Sequence, residues 1–179
     1  MRTVGGSMKT AAGVLLLLAI LWCGVMVGGS PEYSVKAAYL YNFAKFTEWP
    51  PEQSGSLTVC VYGRDPFGGF LDDALRGKQA HGATVFIKRL PRGDEQVDGC
   101  QVLFLGSAAR IEPVLSRLQG RSILTVGDSR DFSERGGMIA LVMENGSVRF
   151  ELNLAAIAAA RLQVSSRLVE LGHVVGPKK

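Results

Sequence analysis

Histidine is scarce in this chain of 179 residues, which holds only two, His81 and His173. Neither sits in a ligand pattern, and no His-Glu-x-x-His segment occurs. A zinc hydrolase is therefore excluded on motif grounds. Gly-x-Ser-x-Gly is missing as well, so the strained turn that presents a hydrolase serine is not encoded. Cysteine is limited to Cys23, Cys60 and Cys100, too few for a cysteine-rich metal cluster. Charge is modest: 20 basic against 16 acidic side chains, with no Lys/Arg block among aromatic residues. A nucleic-acid surface is not expected from that pattern. His81, beside Gly82, reads as a surface loop residue. His173 reads as the end of the last helix, where it meets the helix dipole. Asp72 and Asp73 are adjacent, so they point about 100° apart on a helix and do not make an acid/base pair. With no nucleophile, base or metal pattern, an enzyme is not expected, and no cofactor is called for.

One long apolar run is present. Arg2 and Lys9 precede it, Ala11 to Val27 form it, and Gly28, Gly29 and Ser30 follow. This is the layout of a cleavable secretory signal over residues 1–29, with small residues where the peptidase cuts. Met8 is an alternative start. An uncleaved anchor is the competing reading, but the run is short for a bilayer about 30 Å thick. A lipoprotein is disfavoured, because bulky Trp22 precedes Cys23. Loss of the leader removes Arg2, Lys9 and Cys23, leaving 18 basic against 16 acidic residues and two cysteines. Two cysteines in an oxidising compartment predict one Cys60–Cys100 disulfide.

Residues 30–176 read as a single α/β domain of three layers, followed by a short tail over 177–179. Ser30-Pro31-Glu32 starts a helix that runs to about Thr47 and is stopped before Pro50-Pro51. Strands are expected at 57–62, 84–90, 102–105 and 122–126. Helices are expected from Asp65 to Leu75, with Asp65 as cap, and after Ser107. Met138–Met143 and Val148–Leu152 flank Asn145-Gly146, a strong hairpin signal. Residues 154–162 and 166–171 read as helices. Strands alternating with helices and ending in a hairpin predict a mostly parallel sheet with an antiparallel edge and helices on both faces.

Two groups of residues merit attention for binding. Asp65, Ser107 and Asp128 follow three of the expected parallel strands, on the rim where open α/β sheets hold ligands. They are equally compatible with ordinary strand-to-helix turns. Tyr41, Lys45 and Trp49 lie beside the core stripe of the first helix. Arg149 and Glu151 alternate with apolar Phe150 and Leu152. These five residues are candidates for contact with a partner, since aromatic side chains often anchor interfaces.

Several blocks then resemble one family. They are Val35-Lys36-Ala37-Ala38-Tyr39-Leu40-Tyr41-Asn42-Phe43-Ala44-Lys45-Phe46-Thr47-Glu48-Trp49-Pro50, Val61-Tyr62-Gly63-Arg64-Asp65-Pro66-Phe67-Gly68, Ile123-Leu124-Thr125-Val126-Gly127-Asp128, Gly136-Gly137-Met138-Ile139, and Val148-Arg149-Phe150-Glu151-Leu152-Asn153-Leu154-Ala155. In order and content they look like the YfiR family of periplasmic regulators. The resemblance implies a non-enzymatic repressor of a membrane diguanylate cyclase. It would lower cyclic-di-GMP, restrain biofilm formation, form a homodimer and be sequestered by an outer-membrane lipoprotein. It also implies that Cys60 and Cys100 are the family's cysteine pair. Some members carry a second pair in their second half, and this sequence has none there. Related domains occur on histidine kinases, so another membrane sensor is an alternative partner. A small-ligand sensor module is the alternative function.

Overall fold

A computed structural model describes residues 30–53, 55, 57–93, 96–106 and 109–176. The expected leader and the 177–179 tail lie outside these residues, as does Ser107. Helix α1 (Pro31–Lys45) opens the chain. It has Pro31 in its first turn, Glu32 at the positive end of its dipole and Lys45 at the negative end. It stops two residues short of expectation, because Thr47–Glu48 is drawn into a short strand, β1. A 3-10 turn (Pro51–Gln53) leads to β2 (Leu57–Tyr62). Next come α2 (Gly69–Leu75), β3 (Gln79–Ala80), β4 (Ala83–Leu90), β5 (Val102–Leu105) and α3 (Ile111–Arg117). The chain continues through β6 (Leu124–Gly127), β7 (Ile139–Glu144) and β8 (Ser147–Leu152), then α4 (Leu154–Ala159), β9 (Gln163–Val164), α5 (Ser166–Leu171) and β10 (His173–Val174).

The eight-stranded sheet has the order β10-β8-β7-β6-β5-β2-β4-β3. Strands β4, β2, β5, β6 and β7 are parallel, as the alternating pattern predicts. Strand β8 is antiparallel to β7, with Glu144 opposite Ser147. Asn145 and Gly146 both have positive φ, 48° and 76°, which the two-residue turn demands. A second, two-stranded sheet pairs β1 with β9.

Side-chain alternation divides the core between the two faces. Val59 and Val61 of β2 join Leu40, Phe43, Leu71, Ile157 and Leu168 under α1, α2, α4 and α5. Cys60, Tyr62, Leu103 and Leu105 face the other way, against Ile111 and Val114 of α3. Complete burial of each such aliphatic or aromatic side chain contributes about 1.5–3 kcal/mol. Helices thus cover both faces, but unequally: four on one and the seven-residue α3 on the other. Tyr39, Phe43 and Phe150 form an aromatic cluster, with centroids 5.2–5.7 Å apart, that fastens α1 to β8.

The expected bridge is present. Cys60 and Cys100 are disulfide-linked, with Cα atoms 5.8 Å apart across 40 residues of sequence. It ties β2 to the segment entering β5.

Three local expectations are corrected. Asp65 does not cap a helix. Its Oδ1 accepts the Phe67 amide at 2.7 Å, and α2 starts at Gly69, because Gly68 at φ 55° interrupts the turn. The helix expected over 154–162 ends at Ala159, and residues 163–164, just beyond it, pair with β1. His173 is in strand β10 beside Glu151, and not at a helix end. Ser165, by contrast, caps α5 by accepting the Leu168 amide at 3.4 Å.

Candidate functional site

Tyr41, Lys45 and Trp49 gather at the carboxyl end of α1 and just beyond it. Tyr41 and Lys45 are one helical turn apart, on one side of the helix. The Tyr41 hydroxyl donates to the Gln79 carbonyl at 3.0 Å, and the Lys78 ammonium lies 5.5 Å from the Tyr41 ring centroid. Trp49 meets the His81 ring edge-on at 6.1 Å. His81 Nε2 lies 3.2 Å from the Ala44 carbonyl oxygen. Lys45 is exposed and sits 5.5 Å from the Phe46 ring. The result is a patch of aromatic rings and cations, built from α1, the segment just after it and the β3–β4 hairpin with its preceding residue. Lys78 and His81 belong to it, and no local pattern signals that. Their placement depends on a turn about forty residues away from α1 that forces His81 to φ 52°.

Arg149 and Glu151 are elsewhere. Their register opposite Val142 and Ala140 puts them on the face carrying α3, away from α1. Glu151 Oε2 accepts a 2.6 Å hydrogen bond from Ser133 Oγ. The five candidates therefore form two groups on opposite faces of the sheet.

On the carboxyl rim, Asp65 and Asp128 are both engaged internally. Asp65 Oδ2 accepts from Arg89 Nε at 2.7 Å. Arg89 also reaches Asp72 at 2.6 Å, and that bond holds the Asp72 carboxyl below its ordinary value. Asp128 Oδ2 accepts from the Tyr33 hydroxyl at 2.7 Å, and Lys36 Nζ lies 3.6 Å away. Lys36 also pairs with Glu32 at 2.5 Å. Burial, followed by the Asp128 hydrogen bond, pushes the Tyr33 hydroxyl well above the usual phenol range. The Tyr33 ring packs edge-on against Phe67 at 5.4 Å, so the first turn of α1 lies over the rim. Asp128 Oδ1 and Ser129 Oγ are buried and have no hydrogen-bond partner among the described residues. Nothing in the sequence marked Lys36 or Tyr33 for this role.

Among the described residues, no group of three or more His, Cys, Asp or Glu side chains could hold a metal ion. Nor is any helix there long and apolar enough to cross a membrane.

Fold and surface together define a disulfide-bridged, open-sheet α/β domain with a basic aromatic patch at one end of its first helix. The YfiR/HmsC-like family model matches residues 33–173, from the first turn of α1 to β10. The chain belongs to that family. No curated protein matches it.

Proposed function

We propose that this chain is a periplasmic regulator that binds and represses an inner-membrane signalling protein, in the first place a diguanylate cyclase. Repression lowers cyclic-di-GMP and restrains biofilm formation. The single observation behind this reading is the family match over residues 33–173, which reaches every strand of the described sheet. The patch at Tyr41, Lys45 and Trp49 supports it physically. Rings and cations at a surface are the composition of interface anchors, and an exported repressor works through contact with a protein that crosses the membrane. The disulfide suits an oxidising compartment. A homodimer and sequestration by an outer-membrane lipoprotein complete the proposal.

The test is genetic and biochemical. Deletion of the gene should raise cyclic-di-GMP, and the tagged protein should retain an inner-membrane cyclase or sensor. Unchanged cyclic-di-GMP together with no retained membrane protein overturns the reading.

A further inference from the structure

The helix layer over the second face is incomplete. Helix α3 packs on the middle of the sheet, with Leu103, Leu105 and Ala140 in its cluster. Beyond it, β7, β8 and β10 form the floor of an open cleft of about 560 Å³. The register builds that floor in rows: Val142 beside Arg149, then Glu151 beside His173. Arg130, from the segment after β6, also lines the cleft.

This segment is anchored. Ser133 is buried, donates to Glu151 at 2.6 Å and accepts from Asn153 Nδ2 at 3.0 Å through its carbonyl. The wall of the cleft is thereby held before any ligand arrives, which reduces the ordering cost of binding. Arg130 and Arg149 are both exposed and both line the cleft. Arg76, Arg89, Arg121 and Arg135 are all in ion pairs. Arg130 and Arg149 have none among the described residues. Two carboxylates share the cleft. Glu151 is occupied by Ser133, and Glu144 stands at the rim, next to the hairpin turn. Val142 adds apolar surface.

We propose that this cleft binds a small organic carboxylate with an apolar body, its acid group held by the guanidiniums of Arg130 and Arg149. The guanidinium fork matches a carboxylate in shape and charge, and such charge-assisted bonds are stronger than neutral ones. The volume is in the range of small-molecule sites, and Val142 receives the apolar portion. The site is on the opposite face from the Tyr41–Trp49 patch, so it does not depend on how that patch is used.

Amide resonances of the isotope-labelled protein test this directly. Phenylacetate and hexanoate are the probes, with phenylacetamide, phenethylammonium and inorganic phosphate as controls. Saturable shifts over residues 142–151 with at least one carboxylate, and not with the controls, are expected. Arg130→Gln with Arg149→Gln should weaken binding at least about tenfold, the factor that corresponds to loss of one charged hydrogen bond. Arg167→Gln, exposed on α5, should leave it unchanged. The proposal is overturned by no saturable shift with either carboxylate, by equal binding of any control, or by undiminished binding in the Arg130/Arg149 variant.

Discussion

Lys36 and Asp128, 92 positions apart in sequence, meet in the interior with side chains each 3 % exposed and 3.6 Å between them. Through this pair, and through Tyr33, the amino-terminal turn of α1 is bound to the exit of β6. A buried charge is costly unless paired, so the arrangement has a strong consequence for stability. Lys36→Met should destabilise the protein by about 3 kcal/mol, because it leaves Asp128 buried with only the Tyr33 hydroxyl as donor. Lys36→Met with Asp128→Leu should recover much of that loss. Chemical denaturation of both variants checks this, and a double variant no more stable than Lys36→Met would refute it.

The bridge between Cys60 and Cys100 closes a 40-residue separation, and both cysteines are almost fully buried. In the chain-entropy model such a loop stabilises the fold by about 4 kcal/mol. Cys60→Ala with Cys100→Ala should lower the unfolding free energy by roughly that amount. Burial further predicts that the folded protein resists mild reductant and that denaturant exposes it, since exchange needs access to sulfur. Thiol counting by mass spectrometry with and without denaturant reads this. Equal reduction in both conditions is the contrary result.

Arg89 ties Asp65 and Asp72 together at the end of β4. Its bond to Asp72 depresses that carboxyl in the folded state. A depressed carboxyl contributes stability above its unfolded value, and the contribution is lost as pH falls through the folded value. Arg89→Gln should therefore shift Asp72 upward and flatten the acid limb of the stability curve. Carboxyl titration by NMR gives the sign. A downward or absent shift contradicts the assignment.

Two glycines are required by a close approach. A Cβ at Gly127 would lie 2.3 Å from the Phe132 ring, and one at Gly137 would lie 2.1 Å from it. Phe132 is fully buried and has nowhere to move. Gly137→Ala should cost about 1–3 kcal/mol through overpacking. Thermal unfolding will show it, and an unchanged midpoint would contradict the packing.

Much of this architecture was legible in the sequence, for reasons visible in particular residues. Asn145-Gly146 fixed the hairpin, because few other pairs accept two positive φ values in succession. The alternation of Arg149, Phe150, Glu151 and Leu152 matched a strand with one face in the core. The cysteine pair followed from the compartment and the count. What escaped was short or long-range. Strands β1, β9 and β10 have two residues each, too few for any period to register. His173 reads as a helix end in the sequence because α5 ends only two residues before it. The Lys36–Asp128 contact depends on the way α1 crosses the sheet, which no local pattern encodes. Helical spacing places Tyr41 and Lys45 on one side of α1, whereas Trp49 lies beyond the helix end and Lys78 and His81 approach only through the β3–β4 hairpin.

The central claim, repression of a membrane signalling protein through the carboxyl end of α1, meets its most direct test in complementation. Cyclic-di-GMP should be measured in a deletion strain that carries either the natural chain or Tyr41→Ala with Lys45→Glu, at matched protein levels. Both altered residues are outside the fully buried core. The account predicts that the natural chain returns cyclic-di-GMP to its low level and that the variant, folded and exported, leaves it high. Equal repression by the two chains would contradict it.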